Sequence, residues 1–498
     1  MAHKSLKSYL QSLSGHGHAP LPDPCVHPFI HRIKLNTKQK IQVAVMSFTV
    51  APLRLVFVSL FFILTWILAY VVAMPMKNGS REPIGPIHSM FVNFVRCVAR
   101  TALFFMGFHR IAVKGKQASP EDACLLIAAP HSSLLDAVVL FSCNQLPSTV
   151  AKAESAHLPF LGTILKVLQP IYVQRKDPLS RKNSTDEIAR RAKSNGKWPP
   201  VVVFPEGTCT NRKVVVSFKT GSFLPGTPVQ PVAIHYPNSV DTFTWTENGP
   251  HHATLFWFTL CQFENKSEVH FLPVYKPSDE ETKNPKLYAE NVRKRIADCL
   301  GLPCTNHSFE DVWLMRQAKK LGLPKDVGVV EYYSLRQDLG ISVELLLEFL
   351  TDFADIVRDK ASGLFSVEDY ATFLSLPVTS SLQELFNTFG KDGGGEVSFP
   401  EYVSGILYLS QSVANGETLE QVLRSFDSGS NGFISREEFK FTLVNRFNCN
   451  GECDELFNKI RKDGSDEVSP KQLTSFLQKR PEYVAIFTSR KKRWTEEK

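Results

Sequence analysis

His131 and Asp136 stand in the stretch APHSSLLDAVVLF (129–141), where the residues around them are otherwise apolar or serine. An imidazole beside a carboxylate can have one ring nitrogen oriented by it, leaving the other to accept a proton near neutral pH. A histidine in such a setting is more often packed into a core, so the pair alone decides little. Other stretches add to it. VVVFPEGTCTNRK (201–213) places Glu206, Gly207 and Thr208 at the end of an apolar run, where small residues let backbone N–H groups approach an oxyanion or a phosphate. Arg212 follows in the same stretch, and Arg175 ends IYVQR (171–175). Guanidinium groups suit bidentate phosphate contacts, although either arginine standing alone would read as a solvated surface charge.

These residues need elements to bring them together. ACLLIAAP (123–130), QPIYVQR (169–175), PPVVVFPEGT (199–208) and VQPVAIHYP (229–237) read as buried strands bounded by turn residues. Helical candidates lie between them: SSLLDAVVLFSC, and PLSRKNSTDEIARRAKSNG with its polar start and glycine stop. Strands alternating with helices argue for an α/β domain over 111–325. Strand ends cluster in such a sheet, so the histidine, the carboxylates and both arginines would line one crevice.

Residues 1–40, with GHGHAPLPDPCVHP, are polar and expected to be disordered. The segment 41–76 contains Leu55–Met74, twenty residues without a charge, long enough as a helix to cross the roughly 30 Å hydrocarbon layer. A second apolar stretch within 77–110 carries Arg96 and Arg100 on one helical face and reads as an interfacial helix or one leg of a re-entrant hairpin. Lys38, Lys40 and Arg54 before the long run against Lys77 and Arg81 after it give only a weak orientation signal. Taken literally, that signal places the sequons at Asn78, Asn183, Asn265 and Asn306 in a lumen, whereas a hairpin would keep the bulk of the chain cytosolic. The net charge of +8 fits attraction to anionic lipid or phosphorylated substrates, and no arginine-rich or zinc-ligand pattern points to nucleic acid. Ten cysteines at irregular spacings, without a paired CxxC, read as reduced core residues rather than a disulfide framework.

After a linker at 326–340, the region 341–478 repeats itself, and a basic tail, 479–498, follows. Loops starting at Arg358, Gly390, Asp427 and Arg461 share an apolar eighth position (Phe365, Val397, Ile434, Val468) and resemble EF-hands. As calcium sites they are degenerate. The Asp427 loop keeps Asp427, Asn431 and Glu438 but has glycine at its third position, and it is the one expected to hold calcium, weakly. The Gly390 loop keeps Asp392 and Glu401 with glycine at positions one and five, and the Arg358 and Arg461 loops lack the ligand set.

Taken in order, His131 and Asp136, IYVQRKD, FPEGTCTNR and VQPVAIHYP resemble the four sequence blocks of the glycerolipid acyltransferases. The EGTCTNR wording, the membrane segment before it and the EF-hands after it are similar to the EF-hand-bearing lysophosphatidylcholine acyltransferase branch. The resemblance covers roughly residues 40–480 and implies an α/β acyltransferase domain between an N-terminal membrane helix and an all-α EF-hand domain. By this resemblance, His131 would be the general base on a lysophospholipid hydroxyl that attacks an acyl-CoA or acetyl-CoA thioester, with Asp136 fixing its tautomer. Arg175 would hold a substrate phosphate, Glu206, Gly207 and Thr208 would shape that site, Arg212 and Lys152 would support it, and Pro231 would hold the fourth block. No cofactor is needed for such chemistry. The bilayer is the implied partner, and the endoplasmic reticulum, with the Golgi, the implied location. The rival reading is a calcium-responsive membrane adaptor built on an inactive acyltransferase fold. A Ser-His-Asp hydrolase is disfavoured by the lack of a G-x-S-x-G elbow.

Overall fold

The structure is a computed structural model that describes residues 27–74, 82–143 save 84, 148–174, 177–324, 327–374 save 340, 359 and 361, then 376, 378, 380–389, 395–414, 433–447, 453–461, 466–480 and 483. It divides into two compact units, one over Asp23–Phe309 and the other containing Glu310 onward. The division falls earlier than the boundary expected at 325, and the stretch expected to be a linker carries a helix, Tyr332–Leu339.

The first unit is built on a seven-stranded sheet in the order β1-β7-β6-β2-β5-β3-β4. Its strands are β1 (Ile111–Lys114), β2 (Leu125–Ala129), β3 (Ser148–Lys152), β4 (Ile171–Val173), β5 (Val201–Val203), β6 (Val229–His235) and β7 (Ser267–Phe271). All pairings are parallel except β6 with β7. β2 is central, flanked by β5 and β6, and is buried throughout.

Strand alternation supplies two cores. Leu126, Ala128, Val202, Val232 and Ile234 face one hydrophobic cluster, while Leu125, Ile127, Ala129, Val201 and Val203 face another. The second cluster is covered by α8 (Pro285–Leu300), which buries Tyr288, Val292 and Ile296. The first is shared with the N-terminal helices α1 (Thr37–Phe48) and α2 (Val50–Ala73), which contribute Met46, Ala51 and Val58.

α2 is the one helix among the described residues long and apolar enough to cross a membrane. It buries a narrow stripe, Ala51, Val58, Thr65, Ala69 and Val72, while Leu53, Val56, Leu60, Ile63 and Ile67 on its other faces stay exposed. α3 (Pro86–Phe105) packs back along it: Phe105, at the end of α3, stacks on Phe57 at 4.5 Å and on Phe61 at 5.4 Å. The two form a hairpin whose outer faces are apolar. Its base is bolted to α7 (His252–Leu260), where Arg54 donates to the carbonyls of Leu260, Gln262 and Phe263 that end the helix. Asn265 beside it is fully buried and its amide donates to Met106 and Thr259 carbonyls, so that sequon is closed to a glycan.

In the second unit, the apolar eighth positions of the expected loops pair across short bridges. Phe365 bridges Val397, and Ile434 bridges Val468, so the four apolar eighth positions join two by two inside one hydrophobic core.

Candidate functional site

The site forms at the carboxyl ends of three neighbouring parallel strands. β2 delivers His131, β5 delivers Glu206 and β6 delivers Tyr236. Lys152 ends β3 on the same edge and is exposed, while Arg175, just past β4, lies outside the described residues.

Helix capping explains the spacing of His131 and Asp136. Ser133 is the N-cap of α4 (Leu134–Ser142) and Asp136 occupies its third position, completing a capping box. A histidine two residues before the N-cap then lies beside the box's carboxylate, with Nδ1 2.8 Å from Asp136 Oδ2. The same carboxylate accepts from Ser132 N at 2.6 Å, Ser133 N at 2.9 Å, Ser132 Oγ at 2.9 Å and the Tyr236 hydroxyl at 2.7 Å. Asp136 is fully buried. Its burial works against the ionised form, but the His131 contact and the serine N–H groups outweigh this and hold its pKa below the ordinary value.

A carboxylate that accepts at Nδ1 leaves the proton there and Nε2 as the basic nitrogen. The His131 side chain keeps 20% of its surface exposed, and its ring stacks on Phe204 with centroids 4.1 Å apart. Burial of the ring favours its neutral form. The Cys209 thiol, hydrogen-bonded to it, and the Asp136 carboxylate act the other way, and the net direction is upward.

Glu206 has no exposed surface. Its carboxylate accepts from His131 N at 2.7 Å and from Val216 N at 3.3 Å, pinning the loop after β5 to the loop after β2. Burial raises its pKa to about 7 despite those two donors. Gly207 (φ +68°) turns the chain, and the Thr210 N–H donates to the His131 carbonyl at 2.7 Å. Gly207 and Thr208 are half-buried on the same loop. The guanidinium of Arg212 is turned inward, 11% exposed, with Nη2 2.6 Å from Asp241 Oδ1 and its plane 4.8 Å over the Tyr236 ring.

Beside α4 lies an apolar cavity of about 630 Å³. Its walls come from α2 (Val58, Phe62), α3 (Ala99, Leu103), α4 (Leu134, Leu135, Val138) and α5 (Leu161–Val167). Leu134 and Leu135 begin the helix that His131 precedes, so the cavity lies between that helix and the α2–α3 hairpin.

A family model described as Acyltransferase matches residues 110–235, the span from β1 to the end of β6. The chain is 37% identical over 476 residues to "Lysophosphatidylcholine acyltransferase 1" of Mus musculus, covering 95% of this chain and 89% of that one. It is likewise 37% identical over 474 residues to "Lysophosphatidylcholine acyltransferase 2" of Homo sapiens, covering 94% and 86%. The chain belongs to the lysophosphatidylcholine acyltransferase family. Among solved structures it is similar to the 1-acyl-sn-glycerophosphate (LPA) acyltransferase PlsC from Thermotoga maritima, at 19% identity and a TM-score of 0.36, over 53% of this chain and 98% of that one.

The metal positions expected from the repeats fit calcium poorly where they are described. Asp392, Asp427 and Asn431 lie outside the described residues. Glu401 and Glu438 instead cap their own helices, accepting from Ser398 N at 2.8 Å and Ser435 N at 3.0 Å. In the Arg358 loop the ammonium of Lys360 lies 2.5 Å from the twelfth-position carboxylate of Asp369, where a cation would bind. Among the described residues no cluster of three histidine, cysteine or acidic side chains could hold a metal ion.

Reading the sequence did not find Tyr236, Asp241 or Cys209 as members of the site. Cys209 sits inside EGTCTNR and was expected to be a core cysteine. Tyr236 lies inside the stretch read as a strand, one residue past the end of β6, and its partner Asp136 is 100 residues away.

Proposed function

We propose that the chain transfers an acyl group from acyl-CoA to the free glycerol hydroxyl of a lysophospholipid, with His131 as general base. Nε2 takes the hydroxyl proton as the oxygen attacks the thioester carbonyl. Asp136 holds the imidazole in the competent tautomer and stabilises the imidazolium that forms. The proton then passes to the departing thiolate of CoA, so no covalent acyl-enzyme is required. The Gly207 N–H is engaged by the Phe204 carbonyl at 3.1 Å, so the Thr208 N–H of that turn would be the one to face the oxyanion. Arg175 and Lys152, from the ends of β4 and β3, are the cationic groups for substrate phosphate.

The observation that carries this reading is a buried, fully engaged carboxylate on Nδ1 of a histidine that precedes a helix lining an apolar cavity large enough for a long chain. That volume favours a long acyl donor over acetyl-CoA, since binding pockets of about 300–1,000 Å³ enclose drug-sized ligands. The α2–α3 hairpin would sit in one leaflet with its outer apolar face among lipid tails, keeping both of its ends, and the site, on one side. A single-chain substrate would then enter from the bilayer without full extraction into water. By the family resemblance the membranes are those of the endoplasmic reticulum and Golgi. The paired loops of the second unit form an EF-hand scaffold that serves structure rather than calcium sensing, as the bridged eighth positions and self-capped twelfth positions support.

Membranes carrying the chain, given labelled palmitoyl-CoA or acetyl-CoA and lysolipids of different headgroup, test the reading. Transfer that disappears with His131→Ala supports it and names the substrates. Transfer unchanged in that variant sinks the base, and no transfer from either donor by membrane-bound protein favours an adaptor.

A further inference from the structure

Behind the His131–Asp136 pair stands a chain of groups that base catalysis does not itself demand. Tyr236 is 6% exposed, and its hydroxyl donates to Asp136 Oδ1. Arg212 lies over its ring and pairs with Asp241. Asp241 is itself fixed: its carboxylate accepts from Thr244 Oγ1 at 2.7 Å and Phe243 N at 3.1 Å, and its backbone carbonyl lies 2.9 Å from His31 Nε2. The Arg212 backbone adopts φ +61°, a left-handed conformation that a side chain disfavours and the Asp241 contact holds. Asn211 beside it donates to the carbonyls of His27 and Ile30, so the segment before the hairpin also braces this corner.

The cap of α4 does not need the tyrosine. Three donors already meet Oδ2, and Ser132 Oγ meets Oδ1, so the fifth contact adds nothing to helix satisfaction. It does fix rotation of the carboxylate about its last bond. Burial and the adjacent Asp136 push the phenol well above its ordinary pKa, so the hydroxyl remains a donor. A cation over the ring strengthens that donation. We propose that Tyr236, backed by the Arg212–Asp241 pair, is a positioning group that holds Asp136 square to His131 and tempers its pull on the imidazole proton. This rests on His131 being the base.

The charged and titratable groups facing this corner are His131 and Asp136 before and within α4, Cys143 at its end, Glu206, Cys209 and Arg212 after β5, and Asp241 and His31 opposite. Removing the phenol hydroxyl leaves Asp136 less stabilised and more basic, so the imidazolium is held more tightly. Removing the Asp241 charge takes an anion away and shifts the balance the other way.

The experiment measures acyl transfer by the full chain in membranes across pH, for wild type, Tyr236→Phe, Asp241→Asn and His131→Ala. Tyr236→Phe should lower kcat roughly tenfold, the equivalent of one buried hydrogen bond, with KM nearly unchanged. Its rising pH limb should move upward, and that of Asp241→Asn downward. Wild-type kcat and pH profile in Tyr236→Phe overturn the proposal, as does a raised KM with an unmoved limb. Should Tyr236→Phe fail to accumulate, the direction of the Asp241→Asn shift decides, an unmoved or upward limb overturning it. An active His131→Ala would instead remove the base, and the proposal with it, whatever Tyr236→Phe does.

Discussion

Ala99 on α3 lines the apolar cavity, and replacing it by phenylalanine tests whether that cavity holds the donor's acyl chain. The exchange adds about six carbons to a space already unfilled, so overpacking strain should stay below the 1–3 kcal/mol typical of a filled core. Those carbons exclude about as many methylenes of a bound chain. At ~0.8 kcal/mol per buried methylene, complete exclusion costs roughly 5 kcal/mol, and a chain that bends to keep half its contacts loses roughly half that. The kcat/KM ratio of palmitoyl-CoA to acetyl-CoA should therefore fall by about 10²–10³-fold. The acetyl reaction is the internal control, because a two-carbon group does not reach the added ring. Membranes bearing each variant are assayed with donors of increasing length at fixed lysolipid. An unchanged ratio in a variant that reaches the membrane at normal levels would refute the assignment. A preference that changes with the lysolipid chain instead would give the cavity to the acceptor.

Three other outcomes follow from the site and the paired loops. His131→Ala should reduce kcat by roughly 10²–10⁴-fold with little change in KM, and the rising limb of kcat/KM in the wild type should lie above the usual imidazole range, since the active form is deprotonated and contact with Asp136 and Cys209 raises the pKa. Glu206, with a folded pKa of about 7 against 4.5 ordinarily, contributes stability that is complete below the lower value and lost as pH rises through the higher; melts should show wild type losing up to about 3 kcal/mol relative to Glu206→Gln across that window, and parallel curves would refute the buried-acid account. Adding calcium or a chelator should leave the melting temperature and transfer rate of the full chain unchanged, because Glu401 and Glu438 cap their own helices and Lys360 already occupies the Asp369 carboxylate; a calcium-dependent rise in either would overturn the self-capped reading.

What the sequence disclosed tracks how local each signal is. β2 and β5 are buried on both faces and read as unbroken apolar runs, and β6 is buried from Val229 to Ile234 with Gln230 the one polar residue among them. β7 alternates buried and half-exposed positions, and β1 is largely exposed, so neither has that signature. The His131–Asp136 spacing was legible because a capping box encodes it within one turn of helix. The contacts of Tyr236 with Asp136 and of Arg212 with Asp241 carry no such local constraint, since their separations depend on strand order. Arg212 read as a crevice cation supporting a substrate phosphate, but its partner Asp241, which no local pattern announces, takes up its guanidinium. The cavity belongs to no single stretch, as its walls come from several helices together with Thr149 and Val202 of the sheet.

The hairpin is more than a tether. Met46, Ala51 and Val58 from α1 and α2 share one continuous core with Leu126, Ala128 and Val232 of the central strands, and Leu103, Met106 and Phe108 from the return leg join them. Arg54 within α2 satisfies the carbonyls that end α7, and Trp257 of α7 donates to Ser47 at 2.9 Å. Helix-end carbonyls and an indole N–H left without these partners in a buried setting cost about 1–3 kcal/mol each. The α/β sheet is therefore not complete without the helices that carry it to the membrane. The same helices wall the apolar cavity that Leu134 and Leu135 of α4 line. On the proposed function, membrane attachment and substrate access would both depend on the one helical hairpin.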